Sequence, residues 1–316
     1  RESFPRGERT IIGIGDDCAQ IGAPEGSFIV TTDVMVEDQH FHLSWSTGYE
    51  VGARVAAQNL ADIDAMGGRP SGLVASVVAP RDMDAEVFLD VVRGLGERAR
   101  EVGAGVVGGD LSAGEKLVIS ITAFGYCPGP IVRRDGAQPG DVIAVSGTLG
   151  FSYAGLDLLE GGYVDPSARG SEELGDLAPF IDTYRAPHPP LGSGVAAAAA
   201  GATAMMDLSD GPAADARRMA QASGLVIEFD RPALEAEARL LQAPAQVCQA
   251  DPVWWVLQGG EEHGMLAAFP PNAVLPEGFR VVGRTRACRD GETPAAMLGG
   301  EVLRGAWDHF DPESVH

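Results

Sequence analysis

Lysine is almost missing from this chain: Lys116 is the only one among 316 residues. No G-x-x-x-x-G-K-[ST] run is present, so neither a P-loop lysine nor the strand lysine of a protein kinase is readily supplied. Basic charge as a whole is short. Lys+Arg 23 against Asp+Glu 45 leaves a net charge of −22, which argues against nucleic acid or a membrane surface as partner and suits a protein that gathers divalent cations. Cysteine is also scarce. Cys18, Cys127, Cys248 and Cys288 are scattered, with no C-x-x-C and no zinc spacing, and read as reduced thiols in a cytoplasmic protein. No apolar run is long enough to span a membrane, and no signal peptide is visible. A G-x-S-x-G nucleophile elbow and a Ser-His-Asp set are both lacking. The chain begins at Arg1 rather than Met, so further N-terminal residues are expected to precede it.

What the chain does have is a series of acids beside glycine or at the ends of apolar runs. Its length suggests one large domain or two of ordinary size, and 45% hydrophobic residues are enough for a sizeable core. Phe28-Ile29-Val30 leads into Thr31-Thr32-Asp33, which reads as a buried strand whose end opens onto polar chemistry, where ligands of α/β proteins tend to sit. The same pattern recurs at Asp16-Asp17, Asp62, Gly109-Asp110 and Asp207/Asp210. Adjacent like charges repel, so Asp16-Asp17 is easier to justify beside a cation. Clustered carboxylates and hydroxyls, without thiol or imidazole sets, select hard cations such as Mg²⁺ or Mn²⁺. The expectation is that these acids converge on Asp33 to hold Mg²⁺ against phosphates.

Periodicity places the candidates on elements. Val51, Val55, Leu60 and Ile63 predict a helix over Tyr49–Met66, with Asn59 and Asp62 on one face. A second helix is expected over Ala85–Glu101. Gly103–Gly108 matches G-x-G-x-x-G but follows a helix and precedes a strand, the wrong context for a dinucleotide site; it reads instead as a short strand ending at a Gly-Gly-Asp turn. A polar Gly/Pro linker, Arg133–Asp141, sets the expected boundary between residues 1–137 and 138–316. Val142–Ser146 followed by Gly147-Thr148-Leu149-Gly150 is a strand–Gly loop–helix unit that can hold an anion, though it is also common architecture. Glu160–Asp182 is read as a mobile loop and Pro232–Ala250 as helical. Ala204–Asp207 is a strand that repeats the opening theme, and Asp210 could serve as the N-cap of the helix starting at Pro212.

Taken together and in order, these residues resemble the thiamine-monophosphate kinase family from about Ile11 to Phe310. The landmarks are Ile14-Gly15-Asp16-Asp17-Cys18-Ala19, Thr31-Thr32-Asp33, Asn59–Gly67, Gly108-Gly109-Asp110, Arg134–Asp141, Asp207-Leu208-Ser209-Asp210-Gly211 and Gly259-Gly260-Glu261-Glu262. The resemblance implies the α/β fold of aminoimidazole-ribonucleotide synthetase: two domains and a homodimer built through the N-terminal sheets. It implies ATP and thiamine monophosphate as substrates, with several Mg²⁺ ions. By the same resemblance Asp17, Thr31, Thr32, Asp33, Asp62, Asp110, Asp207 and Asp210 match metal positions, among which Asp33, Asp110 and Asp210 are the expected catalytic acids. Gly109, Asp110, Arg134 and Ser209 match nucleotide contacts; His40, Glu261 and Trp307 match positions near the thiamine substrate. The chain departs from the family at Ala61, where Ser is usual, at Leu111-Ser112, where two threonines are common, and at Glu262-His263-Gly264 in place of Asp-Tyr-Glu.

The expected reaction is direct in-line, Mg-assisted transfer onto a phosphate oxygen that is already anionic, so no general base is needed. Two alternatives stand beside it: another ATP-using enzyme of the same fold, such as a selenophosphate synthetase, and a catalytically idle nucleotide- or metal-binding homologue. Cys18 has no lysine nearby, which counts against a selenophosphate synthetase but not against an aminoimidazole-ribonucleotide synthetase.

Overall fold

A computed structural model describes residues 7–12, 20–23 and 26–305. A short ribbon, β1 (Thr10–Ile12) and β2 (Gln20–Ile21), precedes the first main strand, β3 (Ile29–Val36). There follow α1 (Gly48–Ala65), β4 (Arg69–Ala79), α2 (Ala85–Glu101), β5 (Gly105–Ala113) and β6 (Val118–Tyr126). Strands β3 to β6 form one sheet in the order β3-β6-β4-β5, antiparallel except for the parallel β4–β5 pair. Its inner face packs on α1, and Val55, Leu60, Ile63, Leu73, Ile119 and Ile121 lie in one buried cluster there.

Helix α1 begins where the sequence says it should. Thr47 Oγ1 accepts from Glu50 N–H at 3.2 Å and Glu50 Oε2 accepts from Thr47 N–H at 2.6 Å, a reciprocal capping box. Helices α1 and α2 cross closely on glycine. A Cβ at Gly52 would stand 2.0 Å from Val91 O, and one at Gly94 2.0 Å from Tyr49 O, so neither position admits a side chain at this spacing.

The second half contains β7 (Val142–Ser146), α3 (Phe151–Glu160), α4 (Gly170–Leu174), α5 (Ala178–Arg185), α6 (Ser193–Ala199), β8 (Ala204–Asp207), α7 (Pro212–Ser223) and β9 (Leu225–Phe229). It continues through α8 (Arg231–Ala238), α9 (Gln242–Cys248), α10 (Pro252–Gln258), β10 (Met265–Phe269), β11 (Arg280–Ala287), β12 (Ala295–Leu298) and β13 (Glu301–Val302). The larger sheet runs β13-β12-β9-β11-β7-β10-β8. Its interior strands β7 and β10 are buried throughout, as expected of strands covered on both faces.

Two local expectations are corrected, and the helical reading of residues 232–250 holds with a break. The chain does not turn at Gly109-Asp110; β5 runs straight through to Ala113. Gly109 is required because a Cβ there would meet Ala75 O of the neighbouring strand at 2.0 Å. The stretch read as a mobile loop over residues 160–182 includes α4 and most of α5, and is fastened by arginine. Arg185, fully buried, donates to the carbonyls of Trp45, Ala168 and Pro166 at 2.7, 2.9 and 2.7 Å. Residues 232–250 form two helices with a 3₁₀ turn at Arg239–Leu241 between them.

Candidate active site

A cavity of about 310 Å³ opens where the two sheets' layers meet. Its wall takes Asp33 from β3, Arg54 and Gln58 from α1, His40 and His42 from the loop after β3, Tyr153 and Glu160 from α3, Ser209 and Asp210 after β8, and Glu261 and His263 before β10. Arg54, Gln58 and Asp62 are four apart, so one stripe of α1 faces this side.

Strand alternation decides which residues of β3 belong to the site. Thr31 and Asp33 face α1; Thr32 faces away. Thr31 Oγ1 donates to Asp62 Oδ2 at 2.6 Å, and Asp33 N–H donates to Asn59 Oδ1 at 3.1 Å. Thr32 Oγ1 donates to Ile121 O at 2.9 Å on the outer side of the sheet. Asp33, Asp62 and Asp207 feel one another. Burial raises the Asp33 pKa, and the charges of Asp207 and Glu261 add to it. Burial, then the Asp207 charge, pushes Asp62 up to about 7. Mutual repulsion in a half-dry site is what a divalent cation relieves, so the donor set fits Mg²⁺. Among the described residues no three acidic, His or Cys side chains already surround a point where an ion would sit, in keeping with an ion that takes part of its shell from water and substrate oxygens.

Asp207 receives His263 Nδ1 at 3.1 Å. Burial alone would lower the His263 pKa; the hydrogen bond to Asp207 and the charges of Glu261, Asp207 and Asp62 outweigh it and push it up to about 9. Glu261 is held by Arg54, whose Nη2 lies 2.9 Å from Oε2 while Nη1 donates to Tyr184 O at 3.0 Å. Burial would raise Glu261, but Arg54 and His263 bring it below its usual range. Asp210 pairs with Arg218, which also reaches the fully buried Asp215 at 2.6 Å. His40 Nδ1 accepts from Val36 N–H at 3.1 Å.

The expected anion site at the start of α3 is filled from within. Ser152 N–H donates to Glu262 Oε1 at 3.1 Å, so the carboxylate caps the helix itself, and burial pushes this acid up to about 8.

The expected residues therefore divide. Asp33, Asp62, Asp207, Ser209, Asp210, His40 and Glu261 lie in or directly behind the cavity, with Thr31 bonded to Asp62. Thr32 and Asp110 stand on the outer face of the four-stranded sheet, as the register Ser120↔Val34, Ser76↔Ser120 and Ser76↔Asp110 places them. Asp110 is on the edge strand opposite β3, three strand spacings or about 14 Å from it. Arg134 is exposed in the segment between the sheets and does not line the cavity. Asp17 and Trp307 lie outside the described residues. Sequence reasoning passed over Arg54, Gln58, Arg218 and Tyr184. The four-residue spacing back from Asp62 was the available signal for the first two.

Residues 15–127 match the family described as AIR synthase related protein, N-terminal domain. A thiamine-monophosphate kinase of Mycobacterium tuberculosis is 42% identical over 304 residues, covering 95% of this chain and 86% of the relative. This chain belongs to the thiamine-monophosphate kinase family. Among solved structures, Thiamine Monophosphate Kinase from Aquifex aeolicus aligns with a TM-score of 0.76 at 30% identity, covering 87% of this chain and 89% of that one. AaThiL complexed with AMPPCP and TMP aligns with a TM-score of 0.77 at 30% identity, covering 94% and 92%. The mixed α/β architecture with two sheets is thus the AIR synthase-like fold of thiamine-monophosphate kinases. None of the helices among the described residues is long and apolar enough to cross a membrane.

Proposed function

We propose that this chain phosphorylates thiamine monophosphate with ATP, giving thiamine diphosphate and ADP. The observation that carries the reading is the convergence of Asp33, Asp62 and Asp207 from three separate elements beside one cavity that also exposes Ser209, Asp210, His40 and Glu261. The relative complexed with AMPPCP and TMP supports two phosphorylated guests in such a cavity.

The transfer is direct and in line. An anionic oxygen of the acceptor phosphate forms a bond to the γ-phosphorus as the bond to the β,γ-bridging oxygen breaks, and ADP leaves with that oxygen. No residue has to remove a proton. Asp17, Thr31, Asp33, Asp62, Asp207 and Asp210 are the residues proposed to hold Mg²⁺, and bound Mg²⁺ supplies charge neutralisation to the phosphates. Ser209, Gly109 and Arg134 are assigned to the nucleotide; His40, Glu261 and Trp307 to the thiamine moiety. Arg54 keeps Glu261 ionised and aimed into the cavity.

We divide the chain at residues 1–137 and 138–316, with the cavity where the two parts meet, and we propose a homodimer through the outer face of the N-terminal sheet. That face leaves Val30 and Val34 55% and 46% exposed, apolar side chains of the kind that pair. It also carries Asp110 and Thr32, and a dimer built there gives Asp110 a route to the phosphate site of the second copy. The free thiols Cys127, Cys248 and Cys288 support a cytoplasmic setting.

The test is ADP release measured with and without thiamine monophosphate, and with Mg²⁺ withheld. Release that needs both supports the reading. Release independent of the acceptor favours another ATP-using enzyme of this fold, and no release at all favours an idle homologue.

A further inference from the structure

His263 has no role in the reading above, yet both its backbone and its ring are held in the cavity wall. The backbone holds it at φ +54, with Glu261 at φ +69, a left-handed conformation that non-glycine residues seldom adopt and that collects at ligand sites. Hydrogen bonds fix the segment: Glu261 N–H to Ser209 O at 2.9 Å and His263 N–H to Leu208 O at 3.2 Å. The imidazole is 5% exposed.

Its two nitrogens differ in company. Nδ1 is occupied by Asp207 Oδ2 at 3.1 Å. Nε2 is buried and has no hydrogen-bond partner among the described residues; Glu261 Oε2 is 3.9 Å away, beyond hydrogen-bond reach. Buried polar atoms in folded proteins are nearly always paired, so an orphan in a cavity wall points to a group that the ligand brings. The local chemistry narrows that group. Asp33, Asp62, Asp207 and Glu261 all bear on this region, and an anionic ligand oxygen entering among four carboxylates needs a donor from the protein. The imidazole Nε2 is an unengaged donor beside Glu261, on a ring whose other nitrogen is already held by Asp207.

We propose that His263 is a substrate-contacting residue whose Nε2 meets an oxygen of the acceptor's phosphate monoester while Nδ1 holds Asp207, and that this contact selects the phosphorylated acceptor over its phosphate-free form. The inference rests on reading the cavity as the site of thiamine monophosphate and adds the residue that recognises its phosphate.

Two amide replacements separate the nitrogens. Asparagine sets its amide where Nδ1 stands; glutamine sets its amide where Nε2 stands. Calorimetric titration of thiamine monophosphate and of thiamine into the full chain, with Mg²⁺ and a non-hydrolysable ATP analogue present, reads both. His263→Asn is expected to weaken thiamine monophosphate binding about tenfold or more while leaving thiamine binding unchanged, and His263→Gln to restore most of the loss. His263→Asn binding thiamine monophosphate like the parent protein overturns the proposal, as does an equal loss for both ligands, which would make the ring a purely structural element. If the parent protein itself fails to bind thiamine monophosphate, the functional reading falls and this proposal with it, and that result is visible before any variant is compared.

Discussion

Asp62 bears the strain of the site most openly. Its carboxyl is raised to about 7 by burial and then by the charge of Asp207. A carboxyl whose native pKa lies above its unfolded value weakens the fold as pH rises through that interval, because the native state gives up its proton later. Above the interval, in the absence of cation, the ionised group is a net burden. Asp62→Asn keeps an oxygen to accept from Thr31 and removes the charge. At pH 8 without Mg²⁺ the variant is expected to melt at a higher temperature than the parent protein, to lose about 10²–10³ in turnover, and to show no Mg²⁺-dependent rise in Tm. Scanning fluorimetry with and without Mg²⁺, alongside ADP release, checks all three; a lower Tm in the variant would contradict this account of the site. Asp62 could be singled out in the sequence as an acid four residues from Met66, on a partly apolar helix side. Arg54 could not, although it lies two turns earlier on the same stripe, because a long cation on a helix ordinarily reads as a solvated face.

Elements show where pattern reading stops. The apolar run into Thr31-Thr32-Asp33 announced a strand, but the three residues were taken as one group, and alternation sends Thr32 to the other side of the sheet. The start of α3 is a second case. A Gly loop leading into a helix looks the same whether it receives a ligand or, as here, the side chain of Glu262 from a segment over a hundred residues away. That cap makes a prediction about pH. Burial raises the Glu262 pKa from 4.5 to about 8, so its contribution to stability declines as pH climbs between those values. Glu262→Gln retains the acceptor for Ser152 N–H without the ionisation. Its melting temperature is expected to vary less between pH 5 and pH 8 than that of the parent, with the difference largest at pH 8 in favour of the variant. Parallel Tm–pH curves for the two proteins would show that Glu262 is not the group responsible.

At the level of the whole molecule, the existence of most strands and helices could be read from periodicity, whereas the order β13-β12-β9-β11-β7-β10-β8 could not, since it depends on pairings between distant segments. The same blindness put Asp110 beside Asp33 in expectation and on the far edge of the sheet in the structure. A dimer through the outer face would let Asp110 act on the second copy, and mixing decides it. Asp33→Asn and Asp110→Asn homodimers should each be nearly inactive. Co-expressed and reassorted, they should regain a substantial part of parental activity if Asp110 works across the interface, because one site of the mixed dimer then has both acids. If reassorted dimers, verified by mass, stay inactive, Asp110 serves its own chain or none.

Asp64, one position past the turn that carries Asp62 and Ile63, has a different duty from its neighbour. Its carboxylate accepts from the N–H groups of Gly194 and Val195 at 3.0 and 3.3 Å, fastening the end of α1 to α6. The wall that bears Asp62 is therefore bolted to the opposite half of the protein and has little freedom to slide toward a guest. A jaw fixed in this way must be fitted by its contents. Side chains held at fixed spacing would fit one size of ion better than another, so replacing Mg²⁺ by the larger Ca²⁺ is expected to lower turnover, read as ADP release.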